Sequence, residues 1–249
     1  MKLATIILAA GKGTRMESDL PKVLHRLNNR TLIERVVDTS RKLNSSKIIV
    51  VIGYKKELVK NGLKEYNDIE YAIQSEQKGT GHAVKMCFDN LKDFIGDVLI
   101  LSGDVPLISL ETLQSLIDIK QQSKTEAAIL TATMKDPSGY GRVIREKEFL
   151  NNIVEHKDCN QDELKVNEIN AGIYLVNSKF LIKYIPEIGN QNNQKEYYLP
   201  DIFNLMIADK YKVAIHKISN TNEISGINNK EQLEELNNYL ITHEKSKED

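Results

Sequence analysis

The strongest constraint on what this chain can fold into is an alternation of continuous apolar runs and helical stripes through its first half. Residues 3–10 form an unbroken apolar run that stops at Gly11, the pattern of a strand buried on both faces. Residues 47–53 (KIIVVIG), 69–74 and 98–101 repeat it. Helical patterns lie between these runs. Thr31-Leu-Ile-Glu34 is a capping box, in which the threonine hydroxyl and the glutamate carboxylate each satisfy a free helix-end N–H. Leu32, Ile33, Val36, Val37 and Leu43 follow on one stripe. Further helices are expected over residues 56–66 and 81–91, and Ser109 caps one carrying Leu110, Leu113, Leu116 and Ile117. Strand–helix alternation needs crossovers, so the expected fold is α/β: a Rossmann-like, mostly parallel mixed sheet flanked by helices.

After residue 127 the rhythm becomes β-rich. Strand-like stretches at 127–134, 142–145, 152–156 and 169–176 follow one another, with Gly139-Tyr140-Gly141 as a turn. No linker separates them, so they read as an extension added to the sheet of a single domain spanning 1–249. Residues 199–208 and 231–242 read as helices, and the charged tail from residue 243 is expected to fray.

With a formal net charge of −1, the chain has no global attraction to nucleic acid or an anionic membrane. No apolar stretch is long enough to span a bilayer. The N-terminal apolar run ends in a Gly/Lys turn and not a cleavage site, so a cytoplasmic protein is expected. Neither Cys87 nor Cys159 has a partner at zinc-ligand spacing, and none of His25, His82, His156, His216 and His243 pairs with another at such spacing. The histidines read as structural or supporting polar groups.

Three loops after strands carry chemistry, because ligands of open parallel sheets bind beyond the strands' carboxyl ends. Gly11-Lys12-Gly13-Thr14-Arg15, with Lys22 downstream, combines close backbone approach with positive charge and reads as a phosphate loop. It is neither a dinucleotide fingerprint, since Met16 stands where the third glycine would fall, nor a Walker A loop. Taken alone, a plain turn would explain its glycines but not its cations. Asp104, after the fourth run, offers a hard oxygen suited to Mg²⁺, although an aspartate before Pro106 also suits a turn. Residues 74–83 (QSEQKGTGHA) place two glutamine amides and two glycines after a strand, a complement for a pyrimidine edge, or else a solvated loop.

At this point the segments become recognisable. LAAGKGTRM with Pro21-Lys22, then QSEQKGTGHA, GDVPLIS, GYGRVIRE, IVEHKD, EINAGIYLV, EYYLPDI and GINNKEQL occur in order over residues 3–240. Together they resemble the uridyltransferase domain of the bifunctional N-acetylglucosamine-1-phosphate uridyltransferase/glucosamine-1-phosphate acetyltransferase family. The resemblance implies that UTP and N-acetylglucosamine 1-phosphate are the partners and Mg²⁺ the cofactor. It implies that Arg15 and Lys22 act on the departing pyrophosphate, and that Ala10, Gly11 and Gly13 lie along the nucleotide. Gln74, Gln77, Gly79 and Thr80 would read uracil. Gly141, Glu155, Asn170 and Tyr197 would hold the sugar side, and Asp104 and Asn228 would ligate the metal. Residues 1–126 would then form the nucleotide-binding half, 127–230 the sugar-binding part, and 231–249 a C-terminal helix and tail. The chain ends without the hexapeptide-repeat β-helix of that family, so neither acetyl transfer nor trimerisation is expected of it. Ser102 stands where some relatives carry an aromatic residue.

Two neighbouring readings keep the same fold: a uridyltransferase for another sugar 1-phosphate such as glucose 1-phosphate, and a non-catalytic nucleotide-sugar-binding module. Retention of Arg15, Lys22 and Asp104 together favours catalysis. A nicotinamide-dependent oxidoreductase is disfavoured by Met16 and by Gly53-Tyr54 where an acidic residue would end the second strand.

Overall fold

The computed structural model describes residues 2–245, with side chains to residue 242, so the charged tail lies outside the described side chains. Its strands are β1 (Leu3–Ala9), β2 (Arg26–Leu27), β3 (Arg30–Thr31), β4 (Lys47–Ile52), β5 (Ile69–Ile73), β6 (Asp97–Ser102), β7 (Ala127–Thr133), β8 (Arg142–Glu146), β9 (Phe149–Val154), β10 (Glu168–Asn177) and β11 (Val213–Ile218). Its helices are α1 (Leu32–Lys42), α2 (Lys56–Gly62), α3 (Thr80–Lys85), α4 (Phe88–Leu91), α5 (Leu110–Gln122), α6 (Ser178–Tyr184), α7 (Asp201–Ala208) and α8 (Lys230–Lys245).

One nine-stranded sheet runs in the order β5-β4-β1-β6-β10-β7-β11-β9-β8, and β2 and β3 form a separate hairpin. The pairings leave only β10 and β9 running against the other seven strands. The sheet is therefore mixed and mostly parallel, as the alternation predicts. Side chains alternate between its faces with period two, and each face has its own core. Leu3, Ile7, Ile48, Val50, Leu99 and Leu101 pack on one side; Ala4, Ile6, Ile49, Val51, Val98 and Ile100 pack on the other. Two buried faces explain why these strands read as continuous apolar runs. A third cluster of Met16, Leu27, Leu32, Ile227 and Leu236 seats α8 and the hairpin against the loop after β1.

The capping box forms: the Glu34 N–H donates to Thr31 Oγ1 (3.3 Å) and the Thr31 N–H to Glu34 Oε2 (2.7 Å). Ser109 Oγ accepts from the Thr112 N–H, as expected of a cap. The helix expected over 81–91 is two short helices, α3 and α4, separated at Met86 and Cys87. The strand expected at 152–156 instead spans 149–154. It pairs with β8 across a tight turn at Lys147, whose φ of 58° is left-handed. Strand β11 and helix α6 were not expected; β11 lies parallel to β7 and inserts the β8–β9 pair into the main sheet. Among the described residues no helix is long and apolar enough to cross a membrane.

Candidate active site

The loop after β1 is held by its buried methionine. Met16 is fully buried beneath Leu27, Leu32, Ile227 and Leu236, which anchors the short turn Thr14–Met16 and fixes where Arg15 starts. Gly13 adopts φ +63°, and a Cβ there would stand 2.5 Å from Lys22 Cβ, so the glycine lets the lysine stem cross the loop. Val23 and Leu24 are buried, which leaves Lys22 to reach across to β6.

Four side chains from distant parts of the chain meet there. Lys22 Nζ donates to Asp104 Oδ2 and, at 3.0 Å, to Asn228 Oδ1. Arg15 Nη2 donates to the same Asn228 oxygen at 2.9 Å. Asn228 is turned to offer that oxygen because its Nδ2 donates to the Gly226 carbonyl (3.1 Å) and its backbone N–H to Gln232 Oε1 (2.8 Å). The segment is tied to β6 by the Ile227 N–H donating to the Asp104 carbonyl (3.0 Å). The side chains of Lys22 and Asp104 are 16% and 20% exposed, so their charges meet in a partly desolvated corner.

Beside this corner opens a cleft of about 200 Å³. Ala10, Gly11, Gln74, Gln77, Gly79 and Thr80 all line it, while Gly13 belongs to the Lys22 end. Residues 78–81 are strapped to 197–199. The Tyr197 N–H donates to the Lys78 carbonyl (2.9 Å), the Gly81 N–H to the Tyr197 carbonyl (2.8 Å), and the Leu199 N–H to Thr80 Oγ1 (3.0 Å). The strap brings Glu196 into the cleft, a residue the sequence reading passed over. Tyr197 itself contributes backbone here. With His82, Lys78 and Lys85 it also lines a separate cavity of about 390 Å³, its ring centroid 6.5 Å from that of His82. Successive residues of an extended segment face opposite ways, which is why one of this pair enters the cleft and the other turns from it.

Gly79 makes the strap possible. It sits at φ +104°, and a Cβ would lie 2.6 Å from the Tyr197 carbonyl oxygen and 2.8 Å from its nitrogen. Gly139 is a built-in control, with φ +82° and nothing within 4 Å of a Cβ. Both alanine variants carry backbone strain, but only Gly79→Ala adds a clash with backbone. Gly79→Ala is expected to lose about 2 kcal/mol more than Gly139→Ala, read as a lower thermal midpoint. Equal midpoints would mean that the strap gives way freely.

The third group gathers at β8 and β10. The Asn170 N–H donates to the Gly141 carbonyl (2.9 Å), and a Cβ on Gly141 would lie 3.2 Å from Glu155 Oε1 and 3.5 Å from Asn170 Cβ. The three expected sugar-side residues Gly141, Glu155 and Asn170 are thus neighbours. A register shift in β10 between Asn170 and Tyr174, with Gly172 at φ +72°, marks a bulge that re-aims Asn170. Asn170 Nδ2 donates to the Tyr174 hydroxyl (2.7 Å). The turn carrying Gly141 is held from beneath by Arg142, whose buried Nη1 donates to the Pro137 carbonyl (2.7 Å) and to that of Tyr140.

Among the described residues Glu155 forms no ion pair. Burial, then the charges of Asp201, Asp158 and Glu196, push its carboxyl up to about 7; burial and Asp158 push Asp201 up to about 6. Glu155, Asp158 and Asp201 line a cavity of about 340 Å³. The three groups adjoin. Glu196 of the cleft is close enough to act on Glu155, and the Tyr140 hydroxyl is held above its usual range by burial and by the Asp104 carboxylate. Asp201, Asp158 and Glu196 were not singled out from sequence, and only the EYYLPDI and IVEHKD segments hinted at them.

The sequence pattern of the MobA-like NTP transferase domain matches residues 5–157. Among curated proteins, the "Bifunctional protein GlmU" of Picosynechococcus sp. is 44% identical over 247 residues, 99% of this chain and 54% of that protein. The protein of the same name from Alkaliphilus metalliredigens is 43% identical over 241 residues, 96% of this chain and 52% of that one. The chain therefore spans about half the length of these relatives. Among solved structures, a UDP-glucose pyrophosphorylase complexed with UDP-glucose superposes with a TM-score of 0.78 at 18% identity, covering 98% of this chain and 100% of that one. A putative glucose-1-phosphate thymidylyltransferase from Bacillus anthracis superposes at 0.73 and 20% identity, covering 95% of this chain and 94% of that one. Those two likenesses concern the fold, which is that of the nucleotide-diphospho-sugar transferases. The chain belongs to the MobA-like NTP transferase domain family.

Proposed function

We propose that this protein transfers the uridylyl group of UTP to N-acetylglucosamine 1-phosphate and releases pyrophosphate. The observation that carries the reading is the meeting of Arg15, Lys22, Asp104 and Asn228 beside a cleft lined by Gln74, Gln77 and Gly79. The extended similarity to the GlmU proteins supports the acetamido sugar. One reaction is proposed, the one whose residues this chain contains. Residues 1–126 would take the nucleotide and 127–230 the sugar. UTP and a sugar 1-phosphate as partners fit a cytoplasmic protein.

The chemistry follows from the charges. A phosphate oxygen of the sugar 1-phosphate forms a bond to the α-phosphorus of UTP as the bond from that phosphorus to the α–β bridging oxygen breaks. The nucleophile is already anionic, so no general base is required. The requirement is to bring two anions into line and to neutralise charge on the leaving pyrophosphate. Arg15 and Lys22 supply that positive charge. Gly11 allows close backbone approach, and Glu155 and Asn170 would orient the sugar.

The residues also fit Mg²⁺. Asp104 Oδ2 and Asn228 Oδ1 are hard oxygens already gathered around one cation, the Lys22 ammonium. Among the described residues no group of three or more acidic, histidine or cysteine side chains could cage a metal. Two protein oxygens completed by phosphate oxygens and water is the usual way Mg²⁺ is held. Held by Asp104 and Asn228, it would supply positive charge that lowers the repulsion to attack.

Pyrophosphate release with UTP and Mg²⁺ across a panel of sugar 1-phosphates tests the reading. N-acetylglucosamine 1-phosphate is expected to exceed glucose 1-phosphate at least about tenfold in kcat/KM, the scale of one well-placed polar contact. Equal or better turnover of glucose 1-phosphate would overturn the acetamido assignment. No release with any sugar would overturn the reaction.

A further inference from the structure

Gln74 follows β5 at the floor of the cleft, 4% exposed, and its amide is held from one side. Nε2 lies 3.0 Å from the Gly79 carbonyl oxygen and 3.1 Å from His82 Nδ1. A carbonyl oxygen only accepts hydrogen bonds, so the amide nitrogen and not its oxygen faces Gly79. The second amide hydrogen then goes to His82 Nδ1, which must present a lone pair. His82 is therefore neutral and carries its proton on Nε2. Its surroundings agree: burial, then the charges of Lys78 and Lys85, hold the ring's pKa down against Glu76. The His82 ring is flanked by Tyr197, with centroids 6.5 Å apart. Both hydrogens of the Gln74 amide are thus engaged. Its Oε1 makes no hydrogen bond among the described residues and is not sealed from the cleft.

We propose that His82 is a positioning residue that fixes Gln74 as a hydrogen-bond acceptor toward the bound base, so that this site selects uracil over cytosine. The proposal rests on the uridylyl-transfer reading above. Uracil offers a donor at N3–H, which Gln74 Oε1 can accept. Cytosine offers an acceptor at N3 and would need the Gln74 amide rotated. Rotation sets Oε1 against the Gly79 carbonyl and obliges the His82 ring to move its proton from Nε2 to Nδ1, two costs to be met. Without His82, one of these two barriers is gone.

The test compares wild type, His82→Phe and His82→Asn with UTP and CTP. His82→Phe keeps a ring but loses the acceptor, and is expected to raise KM for UTP and narrow the UTP:CTP ratio of kcat/KM about tenfold, with kcat little changed. His82→Asn restores an acceptor oxygen near the Nδ1 position and is expected to hold the ratio within about threefold. A loss of packing alone would not change the base preference. In ¹⁵N NMR of the wild-type protein, His82 is expected to show an unprotonated Nδ1 and a protonated Nε2, a readout independent of any variant's folding. An unchanged base preference in His82→Phe, or a proton on Nδ1 in the wild type, would overturn the proposal while leaving the uridylyl reading intact. Wild-type protein with no turnover of UTP would remove that reading, and the proposal with it.

Discussion

Lys22→Ala is expected to lower kcat about 10²–10³-fold at saturating UTP, the cost usually found when one group stabilising transition-state charge is removed. The geometry around Lys22 says why the loss should be so large. Its ammonium stands against Asp104 and Asn228, and Arg15 shares the Asn228 oxygen, so a single corner concentrates the cationic charge available to a departing pyrophosphate. The Lys22–Asp104 pair in that corner is mostly shielded from water, where charge is worth more than in bulk. Binding of the product UDP-sugar, which lacks the pyrophosphate, should weaken far less than turnover does. Lys22→Arg is expected to rescue poorly. The lysine stem passes where Gly13 leaves room for it, and a planar guanidinium does not replace a compact ammonium between two oxygens. Arg15→Ala should follow the same pattern, and the double variant should fall short of the product of the two losses, because the groups act on one leaving group. Pyrophosphate release and equilibrium binding of the product provide the two measurements. Wild-type turnover by Lys22→Ala would overturn the leaving-group assignment.

Asp104 adds a complementary expectation at the same corner. Asp104→Asn removes the carboxylate yet keeps an oxygen, so it should shift the Mg²⁺ titration to higher concentration while leaving the fold intact. An unmoved titration would count against Asp104 as a ligand.

What could be read from sequence, and what could not, divides along physical lines. The strands β1, β4 and β6 were legible because both of their faces are buried, which leaves an unbroken apolar run. The helix over residues 32–42 was legible because its capping box is a local pattern. Strand β11 was not: lysines flank and interrupt VAIHKI, so it shows no unbroken apolar run. The turn between β8 and β9 escaped notice because its left-handed residue is Lys147 and not glycine or asparagine. The insertion of antiparallel β10 between β6 and β7 leaves no local trace, since strand order is decided by packing across the whole sheet.

The site divides the same way. The phosphate loop and Asp104 announced themselves through glycines and charges near strand ends. Asn228, 213 residues from Arg15 in sequence, has no local signal and was expected in the site only from family resemblance; its meeting with Arg15 is seen only in the structure. Glu196 was overlooked for the aromatic Tyr197 beside it, although the strap to Lys78 turns the glutamate and not the tyrosine ring into the cleft. The acidic company of Glu155 is equally non-local: Asp158, Glu196 and Asp201 act on it through space.

That company makes Glu155 the place where function opposes stability. Its carboxyl is pushed from an ordinary 4.5 to about 7, chiefly by burial. A raised carboxyl pKa means that the folded protein holds a proton the unfolded chain has released. Below pH 4.5 both states are protonated and there is no penalty. As pH rises from 4.5 to about 7 the unfolded chain loses the proton first, so stability falls through this window and levels off above it. A shift of that size corresponds to about 3 kcal/mol, at 1.36 kcal/mol per pKa unit. Asp201, raised to about 6, acts in the same direction over a narrower window. Glu155→Gln keeps the shape and removes the ionisation. It is expected to raise the thermal midpoint at pH 8 by about 6–12 °C, at 2–4 °C per kcal/mol for a domain of this size. The gain should shrink steadily toward pH 4.5 and vanish below it. The same substitution trades a charged acceptor for a neutral one beside Gly141 and Asn170. kcat/KM for the sugar 1-phosphate should therefore drop about tenfold while KM for UTP holds. Melting curves of the two proteins from pH 4 to 8, with sugar-phosphate kinetics at pH 8, measure both halves. A variant no more stable than wild type at pH 8 would show that Glu155 ionises there without cost, and its placement among buried carboxylates would then need another explanation.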